Sequence, residues 1–92
     1  MRKQELVAAI ASSTSQSEAT VTEVLNAAFK AIENSLASGD EVALSGFGSF
    51  RVVHRPARDG RNPQTGAPMR INAKKSPAFR AGASLKRAVD TE

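Results

Sequence analysis

The stretch Gly60-Arg61-Asn62-Pro63-Gln64-Thr65-Gly66 constrains this chain more than any other. Pro presets φ and Gly adopts the positive φ that other residues resist, so Asn, Pro and two glycines so close together force a tight reversal. The reversal reads as the tip of a β-hairpin. Its legs, about 54–60 and 66–75, carry Arg55, Arg58, Arg61, Arg70, Lys74 and Lys75, with Met69 and Ile71 as the sizeable apolar side chains. Strands with so little to bury are expected to project from the body as an arm. An arm of that charge suits a polyanion.

The charge is concentrated in the same half of the chain. Residues 1–50 hold three basic and six acidic side chains, net −3, whereas residues 51–92 hold ten and three, net +7, which together give the overall +4. Such polarity points to nucleic acid or an anionic membrane, and no apolar face beside the charges favours the membrane. The 92 residues allow one domain with a modest core, since chains this short bury only roughly 60–65% of their unfolded surface. Without cysteine, neither disulfides nor thiolate metal sites can form. The apolar run Leu6–Ala11 is too short for a signal peptide and follows Glu5, so a cytoplasmic protein is expected. No stretch approaches the ~20 apolar residues of a membrane span.

Leu6, Val7, Ile10 and Ala11 recur at helical spacing, with Glu5 placed to suit the positive end of a helix dipole. Arg2, Lys3 and Gln4 are poor caps. The serine-rich break at 12–17 then offers Ser15 or Ser17 as the N-cap of a second helix, a more economical role than that of a nucleophile. This helix is expected from about Glu18 to Ser38, stopped by Gly39 and antiparallel to the first. Its stripe of Val21, Leu25, Ala28, Ile32 and Leu36, widened by Val24 and Phe29, is broad for so small a body. Part of it is expected to meet another subunit; the alternative is that it faces its own sheet.

From Asp40 to Arg55 the period changes to alternation. Val42 and Leu44 lead into a turn at 45–48, and Phe50 and Val52 return on the next strand. The glycines of this turn lack both the G-x-G-x-x-G spacing and a following helix, so they do not read as a phosphate loop. After the arm, Pro77-Ala78-Phe79-Arg80 re-enters the sheet, Gly82 breaks it, and 83–89 form a last helix with Leu85 and Val89 inward. Phe47, Phe50 and Phe79 are the expected core aromatics. The fold class is therefore α+β: a helical base, a three-stranded antiparallel sheet and a long protruding β-hairpin arm, in one domain spanning 1–92.

Catalytic chemistry finds no footing here. His54 is the single histidine, and Asp40-Glu41 at a turn is the one carboxylate pair, so neither a metal set nor a triad can be assembled, and no cofactor is implied. His54 reads as a surface or groove-lining side chain. Three binding roles compete. A ribosomal-type RNA-binding extension would want stacking aromatics, which the arm lacks, leaving RNA a secondary partner. A swapped dimerisation arm would bury arginines without enough acids to pair them. Base-specific reading would want Arg, Asn or Gln on a recognition helix, and none is evident.

Gly46-Phe47-Gly48-Ser49-Phe50, Arg55, Arg58, the tip at 60–66, Pro77-Ala78-Phe79-Arg80-Ala81-Gly82 and Leu85-Lys86 together closely resemble the HU family of bacterial histone-like DNA-binding proteins. The resemblance covers the whole chain and implies an intertwined homodimer, or a heterodimer with a paralogue. In it, 1–38 would serve dimerisation and 39–92 would supply a sheet saddle, the arm at about 54–75 and a C-terminal helix. HU-type proteins are known to bind double-stranded DNA architecturally, with arms that wrap the minor groove and apolar wedges that bend it.

Carried over by position, Arg55, Arg58, Arg61 and Arg70 match arm contacts to backbone and groove. Pro63 matches the wedge, and Asn62 beside it could hold the groove floor or sugar-phosphate. Lys74, Lys75 and Arg80 match the basic saddle, while Lys3 and Lys86 match flanking contacts. Such a protein would be cytoplasmic and associated with the nucleoid. Glu18 and Ala83 stand where members often carry lysine, and Asp59 places an acid in the arm. The 77–82 segment is more similar to HU than to its sequence-specific relative, integration host factor.

Overall fold

A computed structural model describes residues 1–90. The elements run α1 (Lys3–Thr14), α2 (Glu18–Ala37), β1 (Val42–Leu44), β2 (Gly48–Arg55), β3 (Arg58–Arg61), β4 (Pro68–Ile71), β5 (Lys74–Ala81) and α3 (Ala83–Val89). The chain divides into two compact units, Met1–Asn34 and the part from Ser35 onward. None of the described helices is long and apolar enough to cross a membrane.

The first unit is an antiparallel helix pair. Val7 and Ala11 of α1 meet Val21 of α2, with Ile10 and Leu25 packed around them. At the other end, Lys3 donates a hydrogen bond to the Asn26 side-chain carbonyl and its ammonium lies 5.9 Å from the Phe29 ring centroid. The serine-rich break does two jobs. Ser15 adopts a left-handed conformation, φ 56°, that closes α1. Ser17 then caps α2, its hydroxyl accepting the Thr20 N–H at 3.1 Å. Arg2 offers α1 no side-chain cap, in keeping with its chemistry.

α2 ends where expected, Gly39 taking φ 87°. Its apolar stripe, however, is only partly covered: Val21 is buried, while Val24 and Phe29 remain 63% and 46% exposed.

In the second unit, β2 is the centre of an antiparallel sheet of order β1-β2-β5, and β3 pairs with β4 in a separate two-stranded sheet. The β1–β2 turn closes through the Phe47 N–H to the Leu44 carbonyl, 3.0 Å. Phe47, Phe50 and Phe79 gather as expected, with ring centroids 5.7 Å apart for Phe47–Phe79 and 5.0 Å for Phe50–Phe79. Yet they are not enclosed as a core, because Phe47 and Phe79 stay 51% and 44% exposed. Likewise α3 turns Leu85 partly inward but leaves Val89 77% exposed, which corrects the inward placement expected for it.

Gly48 is required where the Phe79 ring crosses β2. A Cβ there would lie 2.5 Å from both Phe79 Cζ and the Arg80 carbonyl oxygen, and the backbone atom cannot swing aside. Gly48→Ala is therefore expected to destabilise the protein by about 1–3 kcal/mol through overpacking, or roughly 5–20 °C in Tm. Thermal unfolding followed by circular dichroism checks this; an unchanged Tm would contradict the tight crossing.

Candidate nucleic-acid interface

The register of β2 with β5 sorts the sheet into two faces. Partners are Ser49↔Arg80, Phe50↔Phe79, Arg51↔Ala78, Val52↔Pro77, Val53↔Ser76, His54↔Lys75 and Arg55↔Lys74. Because side chains alternate along a strand, Phe50, Val52, Phe79 and Pro77 share one face. Arg51, Arg55, Lys74 and Arg80 share the other. Three of these four cations were expected as saddle or arm contacts; Arg51 was not. The signal was available in the sequence: position 51 has the same strand parity as Arg55, so both side chains fall on one face.

The legs of the arm pair in two ladders. The β2·β5 ladder continues through Arg55↔Lys74, so residues 54–55 and 74–75 extend the body sheet. Pro56-Ala57 on one leg and Asn72-Ala73 on the other then interrupt it, and pairing resumes with Arg58↔Ile71, Asp59↔Arg70, Gly60↔Met69 and Arg61↔Pro68. Pro56 explains part of this break, since it has no N–H to donate to a ladder.

The tip is held by its own polar groups. The Asn62 side-chain carbonyl accepts the Gln64 N–H at 2.9 Å, spanning Pro63. Asn62 and Ala67 close the loop through backbone at 2.9 Å, and the Gly66 N–H reaches the Asn62 carbonyl at 2.7 Å. Gly66 does so at φ 71°, a conformation costly for other residues. Arg61 donates to the Gly66 carbonyl at 3.1 Å, and Thr65 Oγ1 accepts the Ala67 N–H at 3.2 Å. Pro63 is thus presented, exposed, on a braced turn. The side-chain carbonyl of Asn62 is already engaged in shaping it.

Charges along the arm are exposed and mostly unopposed. Arg55, Arg58, Arg61 and Arg70 are all solvent-facing. Asp59 stands 3.7 Å from Arg70 across the ladder, an exposed pair that moderates one of these charges; such pairs contribute only about 0–1 kcal/mol. Arg80, Lys74 and Lys75 are exposed on β5, and Lys86 on α3. Lys3 lies in the first unit, with its ammonium on Asn26 and over Phe29. Among the described residues, no group of three or more His, Cys, Asp or Glu side chains could hold a metal ion.

Helices followed by an antiparallel sheet that extends into a basic hairpin with a proline-bearing tip define an arm-bearing α+β protein with one cationic face. Comparison with known proteins gives that class a family. The family model described as bacterial DNA-binding protein matches residues 1–90, and this chain belongs to that family. Its relatives include the DNA-binding protein HU-beta of Serratia marcescens, 50% identical over 90 residues, covering 98% of this chain and all of the relative. DNA-binding protein HU-1 of Halalkalibacterium halodurans is 52% identical over 89 residues, covering 97% of this chain and 99% of the relative. Among solved structures, an Anabaena HU–DNA cocrystal structure aligns over all of both chains with TM-score 0.89 and 43% identity. HU from Thermotoga maritima aligns with TM-score 0.71 and 28% identity over 98% of this chain and all of that one. The resemblance carried by the tip and the Gly46–Phe50 and 77–82 segments is thereby confirmed at the level of family and fold.

Proposed function

We propose that the protein is an architectural, largely sequence-independent binder of double-stranded DNA that works as a dimer, in the cytoplasm, on the nucleoid. The observation that carries this reading is the set of cations on one face of the β2·β5 sheet, Arg51, Arg55, Lys74 and Arg80, together with the exposed arginines Arg58, Arg61 and Arg70 of the arm beyond it. Lysines and arginines so placed neutralise phosphates and release counterions, a contact that gives affinity without reading sequence. The HU–DNA cocrystal neighbour supports the choice of DNA as polyanion, with RNA a weaker partner.

Dimerisation is supported by what the single chain leaves open. Phe47, Phe79, Leu44, Val24 and Phe29 are each at least 42% exposed, and the buried side chains among the described residues, Val7, Ala11 and Val21, form too small a core for a domain of this size. A second copy, or a paralogue with the same apolar positions, would cover these surfaces. In the dimer two arms reach the minor groove. There Arg58, Arg61 and Arg70 hold the backbone and groove edges, Asn62 lies beside the floor, and Pro63 enters a base step. Lys75 adds charge at the arm base, and Lys3 and Lys86 act as flanking contacts.

Pro63 suits a wedge because its ring is rigid and apolar and is held out by a turn that does not need its missing N–H. Parting a base step costs a few kcal/mol, least where stacking is already weak.

The test combines mass and salt dependence. At micromolar concentration, sedimentation is expected to give twice the chain mass. Affinity for a random duplex is expected to fall about a thousandfold or more between 50 and 200 mM salt if the dimer neutralises about 6–10 phosphates. A folded monomer with a salt-independent affinity, or one strongly preferred sequence, overturns the proposal.

Pro63→Ala is expected to shrink the bend, read by energy transfer between duplex ends, and the preference for nicked over intact duplex. Affinity for intact duplex, which rests on the cations, should fall less. The same bend in variant and parent would reduce Pro63 to a turn residue.

A further inference from the structure

Asp59 is the one acid between His54 and Lys75, a stretch that holds six lysines and arginines. The β3·β4 register decides which of them it meets. Arg58↔Ile71 and Gly60↔Met69 fall on one face of the hairpin, Asp59↔Arg70 and Arg61↔Pro68 on the other. The first face is largely apolar: Ile71 leans over Gly60, where a Cβ would lie 2.8 Å from Ile71 Cδ1, and Met69 is the register partner of that glycine. Asp59 therefore shares its face with Arg61 and Arg70, two of the three arginines beyond the Pro56 interruption.

These two arginines are held by acceptors of different kinds. Arg61 donates to the Gly66 carbonyl at 3.1 Å, a neutral group that leaves its charge in full. The Arg70 guanidinium lies 3.7 Å from the Asp59 carboxylate, a group that offsets it. Both members of the pair are open to solvent, Arg70 68% and Asp59 90% exposed, so the pair contributes little to holding the hairpin and is free to open. A guanidinium receives carboxylate and phosphate oxygens through the same fork of N–H donors. The two anions are thus alternative partners for Arg70, and a carboxylate that has lost Arg70 is repelled by the phosphate that replaced it.

On the reading that the protein binds duplex DNA, we propose that Asp59 limits the arm's affinity by competing with a backbone phosphate for Arg70. Each arm gives up one Asp59–Arg70 pair as it binds. Asp59 acts through Arg70, and its removal strengthens binding.

The experiment compares the full-length parent with Asp59→Asn, Arg70→Gln and the double variant on one random-sequence duplex at about 50 mM salt. Asp59→Asn keeps the size and shape of the side chain and is expected to bind about three- to twentyfold tighter, because one exposed pair shifts an equilibrium by up to about fivefold and a dimer carries two arms. In the Arg70→Gln background the same substitution should gain much less, since no pair remains to be opened. Were the pair there to hold the hairpin, Asp59→Asn would weaken binding instead, and that result overturns the proposal. An equal gain with and without Arg70 also overturns it, leaving Asp59 as a general repulsive charge. Failure of the parent to bind duplex overturns the DNA reading and this inference with it, whereas parent binding that Asp59→Asn does not tighten overturns the inference alone.

Discussion

The antiparallel pairing of β2 with β5 is the constraint on which the second unit depends. Setting Phe50 opposite Phe79 places both aromatic rings, with Val52 and Pro77, on one face and leaves Arg51, Arg55, Lys74 and Arg80 on the other. A slip of one residue would exchange the faces, and two local features resist it. The Phe79 ring lies over Gly48, where no side chain could fit. The Gly82 N–H bonds the Phe47 carbonyl at 2.7 Å, tying the end of β5 to the β1–β2 turn.

The same register explains why the arm can be both long and nearly coreless. Its inner part, through Arg55↔Lys74, is one sheet with β1-β2-β5 and shares that sheet's support. Beyond the interruption at Pro56 and Asn72, backbone pairing and the hydrogen-bonded tip hold the hairpin, with Ile71 half-buried as the most covered of its larger apolar residues. An isolated two-stranded hairpin is marginal in water. The arm's cations therefore sit on an element with little stability of its own, and a bound polyanion would supply what a core does not.

Much of this was legible in the sequence because it rests on local rules. Ser17 as a cap, Gly39 as a stop, the 45–48 turn, the 60–66 tip and the helix at 83–89 each follow from the backbone preferences of a few residues. Non-local features were harder to read. The Pro56/Asn72 interruption depends on how two distant legs pair, and that Lys74 and Arg80 share the face of Arg51 and Arg55 follows only from the β2·β5 register. The aromatic cluster was foreseen as residues but not as an exposed surface, because how far Phe47 and Phe79 are covered depends on the packing of the whole fold and not on local pattern. The functional roles of individual arm residues came from family resemblance; the fold supplies their placement.

The central claim is that one face of the β2·β5 sheet and the arm form a single DNA-binding surface. Backbone and arginine side-chain resonances followed by NMR while a short random-sequence duplex is added test it most directly. The account predicts that the largest changes fall on Arg51, Arg55, Lys74, Arg80 and the residues between Arg58 and Ile71, with Phe50 and Phe79 little affected. Changes confined to α2 or to the aromatic face, with the arm unperturbed, would contradict it.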